Sequence, residues 1–154
     1  MWTEVNDNTS IEKLMEDFGG FHDSCIVSVN YASGASVDEN GGMSDGNSDE
    51  HTVSMVLHSQ WKKPLEMFFS GVKKCCITGF RESYFCDIFG ATLGFRTDLL
   101  GKTRDDKLIV WADWDDGNFD PKTHKDIFPL DNGNEVTYII AEGLKYRFLE
   151  NGSE

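Results

Sequence analysis

Apolar side chains recur at every second position through most of this chain, and that period limits the possible folds more than any other feature. It begins near residue 24, and in residues 52–61 apolar residues at odd positions alternate largely with polar residues at even ones. A period of two is typical of β-strands, and clean alternation indicates a sheet with one face in water. The longest such run is residues 136–148, where every even-numbered residue except Glu142 is apolar. We predict that these even-numbered residues share one face of a strand.

A helical period occurs only near the N-terminus, where four apolar residues fall on one stripe. Thr9 and Glu12 match a capping box, and Gly19-Gly20 supplies a C-terminal stop. We therefore predict one amphipathic helix over about residues 9–18, packed on the sheet. The residues of the stripe are Ile11, Leu14, Met15 and Phe18.

The strands are not separated by helical segments, and this sets the fold class. Parallel neighbours need long crossover connections, usually helices, so strands joined by shorter connections predict antiparallel pairing. We expect a mainly β (α+β) protein: an antiparallel meander of about six or seven strands, curved or barrel-like, with one N-terminal amphipathic helix. Residues 84–95, apolar on both parities, are predicted as a central strand, and residues 108–115 as another strand. No linker divides the chain, so residues 1–154 are expected to form a single domain.

The charge balance limits the partners of the chain. It has 27 acidic and 14 basic residues, a formal net charge of -13. A field of this sign repels phosphate backbones and anionic lipid and speeds encounter with a basic protein. We therefore expect a basic protein partner and neither nucleic-acid nor membrane binding. Residues 32–50 are rich in Gly, Ser, Asn and Asp, with only Val37 and Met43 as sizeable apolar residues, so we predict a mobile acidic loop there.

The cysteines and the N-terminal residues bear on the compartment. Cys25, Cys75, Cys76 and Cys86 form no C-x-x-C pair, and adjacent cysteines rarely close a disulfide. The first residues are polar and acidic, unlike a signal peptide, and no apolar run approaches the roughly 18 residues of a spanning helix. We expect a cytoplasmic protein with free thiols. No motif predicts a cofactor, a metal ligand set or a catalytic residue.

Trp111, Asp113, Trp114, Asp115 and Asp116 form the most distinctive local feature, which we call the acidic ribbon. Asp113 and Asp115 have the same strand parity, so their carboxylates are expected about 7 Å apart on one face. Such a pair suits a hard cation, the acid and base of a glycosidase, or two basic side chains of a partner. The spacing does not match a calcium loop, because the twelfth position is not acidic. A solvated strand end is the simpler alternative.

His22 and Asp23 form a second polar pair, just after the predicted helix. A His-Asp pair also occurs in metal-dependent phosphohydrolases, but those sites need further ligands from other helices. The alternative is a turn capped by Asp23 or Ser24, with His22 packed at the junction. Cys25 follows, and because it shares strand parity with Val27 we expect a buried small hydrophobe rather than a nucleophile.

The order of these features resembles small bacterial β-rich families, some of them grouped with the immunity proteins of polymorphic toxin systems. The resemblance depends on a short amphipathic helix, on Phe21-His22-Asp23-Ser24 opening a strand, and on the final strand around residues 137–146. Such families are typically acidic, as this chain is. Their binding residues differ between members, so the resemblance assigns none here.

Our leading hypothesis from the sequence is a non-enzymatic binding protein whose acidic ribbon docks a basic protein partner. A toxin-neutralising immunity protein is the form that the resemblance implies. The competing hypothesis is a metal-binding or hydrolytic β domain that uses its clustered aspartates, or His22 and Asp23. A purely structural or regulatory subunit is the third possibility.

Overall fold

A computed structural model of the protein describes residues 1–79, 86–101, 106–114, 117–125 and 136–150. These residues form one α-helix, α1 (Asn8–Asp17), and short 3-10 turns at Gly19–Phe21 and Ser48–Glu50. No helix among them is long and apolar enough to cross a membrane. The strands, in chain order, are β1 (Thr3–Glu4), β2 (Ser24–Ala32), β3 (Ser36–Val37), β4 (Met43–Ser44), β5 (Thr52–Ser59), β6 (Leu65–Cys76), β7 (Thr92–Arg96), β8 (Leu108–Ala112) and β9 (Tyr138–Phe148).

The main sheet has seven strands, and every pairing in it is antiparallel. Its order is β2-β5-β6-β9-β8-β7, with β1 pairing with β9, while β3 and β4 form a separate hairpin. The prediction of a mainly β, antiparallel fold with one helix is confirmed. Among the described residues, β2 and β7 are the outer strands and do not pair with each other, and only the single bridge between Ser24 and Ile88 adjoins β2, so the barrel-like form of the prediction is wrong.

Strand β9 joins two short meanders into one sheet. The meander β2-β5-β6 and the meander β7-β8-β9 meet where β6 pairs with β9, from Leu65 opposite Phe148 to Cys76 opposite Tyr138. The other edge of β9 pairs with β8 and, nearer its end, with β1. The final strand is therefore central, because it contacts three others.

Helix α1 forms where the apolar stripe predicted it, but with a different cap. The side chain of Asp7 accepts a hydrogen bond from the Ser10 backbone N–H at 2.8 Å, and the Ser10 hydroxyl accepts one from the Asp7 N–H at 3.1 Å. This reciprocal pair is a capping box. Thr9, the predicted cap, lies inside the first turn, because the helix begins one residue earlier.

The sheet buries apolar residues on both faces. The first cluster lies under α1, and the second lies on the opposite face of β8 and β9. Each fully buried large apolar side chain stabilises the fold by roughly 1.5–3 kcal/mol. The predicted alternation of residues 108–112 is confirmed, since odd positions join the first cluster and even positions the second. The first cluster includes Leu14, Phe18, Phe21, Met55, Leu57, Met67, Phe69, Ile109, Trp111, Ile139, Ala141 and Leu144. The second includes Leu108, Val110, Ala112, Phe119, Val136, Tyr138 and Ile140.

The prediction that even-numbered residues of 136–148 share one face is wrong. Tyr138 and Ile140 belong to the second cluster, whereas Leu144 and Tyr146 belong to the first, on the opposite face. The exchange of faces occurs around Glu142. Glu142 lies opposite a distortion of β6. Gly71 has a positive φ of 62° there, and the register between β6 and β9 shifts between Val72 and Lys74.

A β-bulge changes the predicted faces of β2. The register with β5 shifts between Ile26 and Ser28, so Val27 is an extra residue and is more than half exposed. Ile26 and Val29 pack against the first cluster, while Cys25 pairs with His58 on the other face. Cys25 therefore lies on the face opposite the first cluster and is only partly buried, so its predicted buried position is wrong.

The segment predicted as a central strand over residues 84–95 is an edge. Tyr84 and Phe85 lie outside the described residues. From Cys86 to Ala91 the backbone makes a single β-bridge, between Ile88 and Ser24, and the strand β7 that follows pairs with β8 alone. Ile88, Ala91, Leu93 and Phe95 all belong to or pack against the first cluster, and Phe89 is exposed. Apolar residues on both parities therefore do not mark a strand buried on both faces here.

Candidate functional site

The predicted polar pair His22-Asp23 lies on a tight corner between α1 and β2. Phe21 and Asp23 are the only non-glycine residues of the described chain with positive φ, at 66° and 56°. Such backbone angles cost about 1–3 kcal/mol each, so surrounding contacts must hold them. Phe21 is fully buried, with its ring edge-on to Phe18 at 5.1 Å and to Trp111 at 5.7 Å. Burial of this ring offsets the strain and turns His22 and Asp23 toward solvent.

Backbone hydrogen bonds tie the corner to two neighbouring segments. The Ser24 hydroxyl donates to the Phe21 carbonyl at 2.5 Å, which closes the turn. The Asp23 N–H donates to the Ile88 carbonyl at 3.1 Å, and the Gln60 N–H donates to the Asp23 carbonyl at 3.0 Å. The motif Phe21 to Ser24 is therefore hydrogen-bonded to the segments around Gln60 and Ile88. The predicted alternative of a turn closed by Ser24 is confirmed, but the predicted packing of His22 at the junction is wrong, because its side chain is 60% exposed.

The Asp23 carboxylate has two side-chain partners. Its Oδ2 accepts a hydrogen bond from the Trp61 indole Nε1 at 2.9 Å and lies 3.0 Å from His22 Nδ1. The indole hydrogen bond is the main cause that lowers the pKa of Asp23, and His22 lowers it further. Trp61 is itself 75% exposed. The structure thus brings His22 and Asp23 together on the surface, next to the exposed indole of Trp61.

A cleft of about 270 Å³ opens beside this corner. Its floor is formed by the start of β2 and the end of β5, which pair from Ser24 opposite Ser59. One wall of the cleft is the segment around Ile88, whose N–H donates a hydrogen bond to the Ser24 carbonyl at 2.7 Å. We call it the thiol cleft, because two cysteines face it. Its lining residues are Asp23, Ser24, Cys25, His58, Ser59, Gln60, Cys86 and Asp87.

The acidic ribbon is less exposed than predicted. Trp111 has 0% exposure and packs in the first cluster, so it cannot contact a partner of the folded protein and is removed from the predicted surface. Trp114 is half-buried against the second cluster, and its carbonyl accepts a hydrogen bond from the Thr92 hydroxyl at 2.7 Å. Asp113 is half-exposed, with its N–H bonded to the Thr137 carbonyl. Asp115 and Asp116 lie outside the described residues.

The carboxylates of Asp98 and Asp120 already have basic partners. Arg96 makes two hydrogen bonds of 2.8 Å to the Asp98 carboxylate and a third of 3.2 Å to Asp120. Lys122 also reaches Asp98, at 3.3 Å. The Arg96 guanidinium holds the pKa of the Asp98 carboxyl well below its usual range. This network neutralises acidic charge locally and leaves less for a partner.

Residues 36–50, predicted within a mobile loop, form a defined projection that we call the acidic hairpin. Strands β3 and β4 pair through Ser36 opposite Ser44 and Val37 opposite Met43. The Asp38 carboxylate closes the turn by accepting hydrogen bonds from the N–H groups of Asn40 and Gly42, at 2.9 and 2.8 Å. Mobility stays a prediction, but the segment has its own hydrogen-bonded structure.

The base of the acidic hairpin is attached to the main sheet. Glu50 accepts a hydrogen bond from the Asn47 N–H at 2.6 Å, and the Ser48 hydroxyl donates to Glu142 of β9 at 2.9 Å. Lys73 of β6 lies 2.7 Å from the same Glu142 carboxylate, and this ion pair is the main cause that lowers its pKa. The hairpin therefore projects from an anchored base.

The tip of the acidic hairpin exposes apolar surface. Val37 is 65% exposed and Met43 is 89% exposed. Because they are direct cross-strand partners, their side chains lie on the same face of the hairpin, about 5 Å apart at Cβ. Residues 36–50 contain five acidic residues and no Lys or Arg. The composition of this segment is visible in the sequence, whereas the pairing of its two apolar residues is not.

The metal-binding alternative has no convergent ligand set within the described ranges. No three His, Cys, Asp or Glu side chains there are placed to hold one ion. His22 and Asp23 form a pair without a third such group, and the distance between Asp113 and Asp115 falls outside what the structure describes.

Comparison with known proteins gives no match for this chain. No protein-family model matches it, and neither a curated protein nor a solved structure is significantly similar to it.

Proposed function

We propose that this protein is a non-enzymatic, acidic binding protein whose acidic hairpin docks a basic protein partner. The observation that carries the proposal is the exposed pair Val37 and Met43, surrounded by acidic residues and unopposed by any Lys or Arg of the hairpin. Interfaces of high affinity combine a few desolvated apolar anchors with a charged rim that speeds and orients association. The hairpin has both parts.

Two further features support binding by this element. Its turn and base are held by backbone N–H groups that donate hydrogen bonds to the Asp38 and Glu50 carboxylates, so docking would order few additional residues and cost little conformational entropy. The net charge of -13 also attracts a basic partner over distances of about a Debye length, close to 10 Å at moderate salt. Neutralisation of a basic toxin, as in immunity proteins, is the specific form of this proposal.

The contact surface proposed here differs from the one that the sequence predicted. Trp111 is in the core, and Trp114 is half-buried. We therefore propose the hairpin tip, rather than the acidic ribbon, as the source of the apolar anchors. Asp113 is half-exposed and would lie at the rim of a contact rather than at its centre. Aromatic anchors are commonest in binding hot spots, but an exposed methionine is an adaptable apolar contact.

The test is chemical crosslinking and affinity capture from a lysate of the source organism with three forms of the protein. The first is the natural chain, and the second is the hairpin variant Val37→Ser/Met43→Ser. These changes remove only exposed apolar surface, so stability should change by less than about 0.5 kcal/mol. The third is a matched control, Glu4→Gln/Glu12→Gln/Glu16→Gln, at exposed positions of β1 and α1.

The proposal expects one basic protein that the natural chain and the control capture, and that the hairpin variant captures at a strongly reduced level. An unrelated basic protein such as lysozyme, added to the lysate, measures non-specific attraction by charge alone. Capture of the same protein by all three forms would contradict docking by the hairpin. A specific partner that is acidic or neutral would contradict the proposed chemistry of the partner.

A further inference from the structure

Two cysteines far apart in the sequence meet in the thiol cleft. Cys25 is the second residue of β2, and the segment that contains Cys86 is held beside it by the β-bridge between Ser24 and Ile88. Both residues line the cleft, and the closeness of Cys86 is one of the causes that raise the pKa of Cys25. The bridge positions the backbones, so the two thiols are neighbours in the folded protein without any covalent link.

The two thiols differ in their access to solvent. Cys86 is exposed, whereas Cys25 is partly buried. The Cys86 Sγ lies 3.6 Å from Oδ1 of the adjacent residue, Asp87. Burial raises the pKa of the Cys25 thiol, and the nearby Cys86 and Asp87 raise it further. A thiol with a raised pKa holds little thiolate at neutral pH and reacts slowly on its own. A small reagent therefore reaches Cys86 first.

The other cysteines provide an internal reference. Cys75 and Cys76 are adjacent residues of β6, so they point to opposite faces of the sheet, and they pack against the first and second clusters respectively. Burial raises the pKa of Cys75 as well. Neither lines the thiol cleft.

We propose that Cys25 and Cys86 form a reversible disulfide site whose reaction partner is a low-molecular-weight disulfide of the glutathione class. The site is independent of the proposed binding function, because the acidic hairpin contributes no residue to the cleft. The bond would covalently join the start of β2 to the segment at residues 86–88, across the cleft.

The reaction proceeds by two thiol–disulfide exchanges. The Cys86 thiol gives its proton to solvent, and its thiolate attacks one sulfur of the small disulfide. That S–S bond breaks, the other half leaves as a thiolate and takes up a proton, and a mixed disulfide remains on Cys86. Cys25 then loses its proton and attacks the Cys86 sulfur, and the second small thiol leaves. Two protein thiols are oxidised and one small disulfide is reduced to two thiols.

The shared position of the two thiols in the cleft favours the second step, because the attacking and attacked sulfurs belong to residues that the fold already holds side by side. A crosslink across a long loop also restricts the unfolded chain, so the oxidised protein should be more stable, provided that the bond forms without strain. Reduction by an excess of the small thiol reverses both exchanges. The ratio of small disulfide to thiol therefore sets the state of the site.

The experiment titrates the reduced, folded protein with glutathione disulfide and glutathione at a series of ratios, followed by alkylation and mass spectrometry. We expect the four thiols to fall to two, with a single crosslinked peptide pair that contains Cys25 and Cys86. The variant Cys75→Ser/Cys76→Ser should form the same bond. The melting temperature should rise by several degrees on oxidation and return after reduction.

Single substitutions separate the two steps. Cys25→Ser should stop at one stable glutathione adduct on Cys86, and Cys86→Ser should leave Cys25 unmodified over the same period. Several outcomes would overturn the proposal: a natural chain that stops at the adduct on Cys86, a bond that involves Cys75 or Cys76, or a disulfide between two molecules. Each is distinguished by the masses of the alkylated peptides.

Discussion

The side chain of Glu142 on β9 covers Gly71 on β6, at the point where both strands exchange faces. A Cβ built on Gly71 would lie 2.7 Å from the Glu142 Cβ and 2.5 Å from its Oε2. Gly71 also has a φ of 62°, which residues with a side chain rarely adopt. Glu142 in turn holds Lys73 and the Ser48 hydroxyl. One glycine therefore allows the contact that anchors the acidic hairpin to the sheet.

The first prediction concerns this contact. Gly71→Ala should lower the free energy of unfolding by roughly 1–3 kcal/mol or more, because the backbone angle and the Glu142 side chain both exclude a Cβ. Gly94→Ala on β7 is the matched control, since no atom lies within 4 Å of the position that the new methyl group would take. Urea denaturation measures both variants. Equal stability of the two alanine variants would contradict the described exchange of faces.

The second prediction separates Trp111 as a core residue from Trp111 as a contact residue. Trp111→Ala should cost about 3–5 kcal/mol, as expected for loss of a buried large aromatic. Trp111→Phe should cost much less, because it keeps the ring contact with Phe21 and removes an indole N–H that has no hydrogen-bond partner among the described residues. Chemical denaturation tests this order. An alanine variant as stable as the natural chain would show that Trp111 is not in the core.

The third prediction concerns acid pH and the pair Asp23 and Trp61. The indole hydrogen bond lowers the pKa of Asp23, so this group stabilises the folded protein above the ordinary aspartate pKa of about 3.9. That stabilisation is lost as the pH falls through the lowered value. Trp61→Phe should raise the pKa of Asp23 toward its ordinary value and reduce the acid-dependent loss of stability. Titration of the Asp23 carboxyl by NMR measures the change.

The control for this titration is Trp2→Phe. Trp2 packs edge-on to Phe68 at 6.1 Å, on another part of the sheet, so its replacement should leave the pKa of Asp23 unchanged. The same pKa of Asp23 in the natural chain and in Trp61→Phe would contradict the hydrogen bond on which the geometry of the corner depends.

The sequence predicts local structure well where periodicity and burial agree. Met55 and Leu57 were predicted on one face from the period of two in residues 52–61, and both are fully buried. Leu14 was placed on the buried stripe of α1 for the corresponding reason, the helical period. These positions are predictable because shifting the assigned period by one residue would place their apolar side chains in water.

The positions that failed are those where a non-local contact decides the outcome. The bulge at Val27 depends on the register with β5, and the change of faces near Glu142 depends on the pairing of β6 with β9. Neither register can be read from one strand alone. The meeting of Cys25 and Cys86 is of the same kind, because it depends on a bridge between residues far apart in the chain.

For the candidate site, the sequence correctly placed His22 beside Asp23 after the helix, since the two are adjacent. It could not show that Trp61 donates to Asp23, which requires the turn after β5 to fold back on the corner. It also placed Trp111 on the surface, because its parity with Asp113 suggested a wet face. The first cluster covers that face at Trp111.

A fourth prediction concerns the charge of the acidic hairpin. Glu39→Gln/Asp45→Asn/Asp49→Asn removes three charges from exposed residues and leaves Asp38 and Glu50, whose carboxylates hold the turn and the base. Exposed ion pairs are worth about 0.2–1 kcal/mol each, so affinity for the captured partner should fall by roughly tenfold at low salt. The loss should come mainly from slower association and should shrink as salt is added. Surface plasmon resonance at a series of salt concentrations gives both rates.

The most direct test of the account is the affinity of the purified captured partner for the natural chain, for Val37→Ser/Met43→Ser, and for the control Glu4→Gln/Glu12→Gln/Glu16→Gln. If the hairpin tip is the anchor, the Val37/Met43 variant should bind at least tenfold more weakly, because each apolar side chain buried on docking contributes roughly 1.5–3 kcal/mol. This loss should appear in faster dissociation, and the control should bind within about twofold of the natural chain. Equal affinity of the hairpin variant and the natural chain, with the fold of both intact, would contradict the central claim.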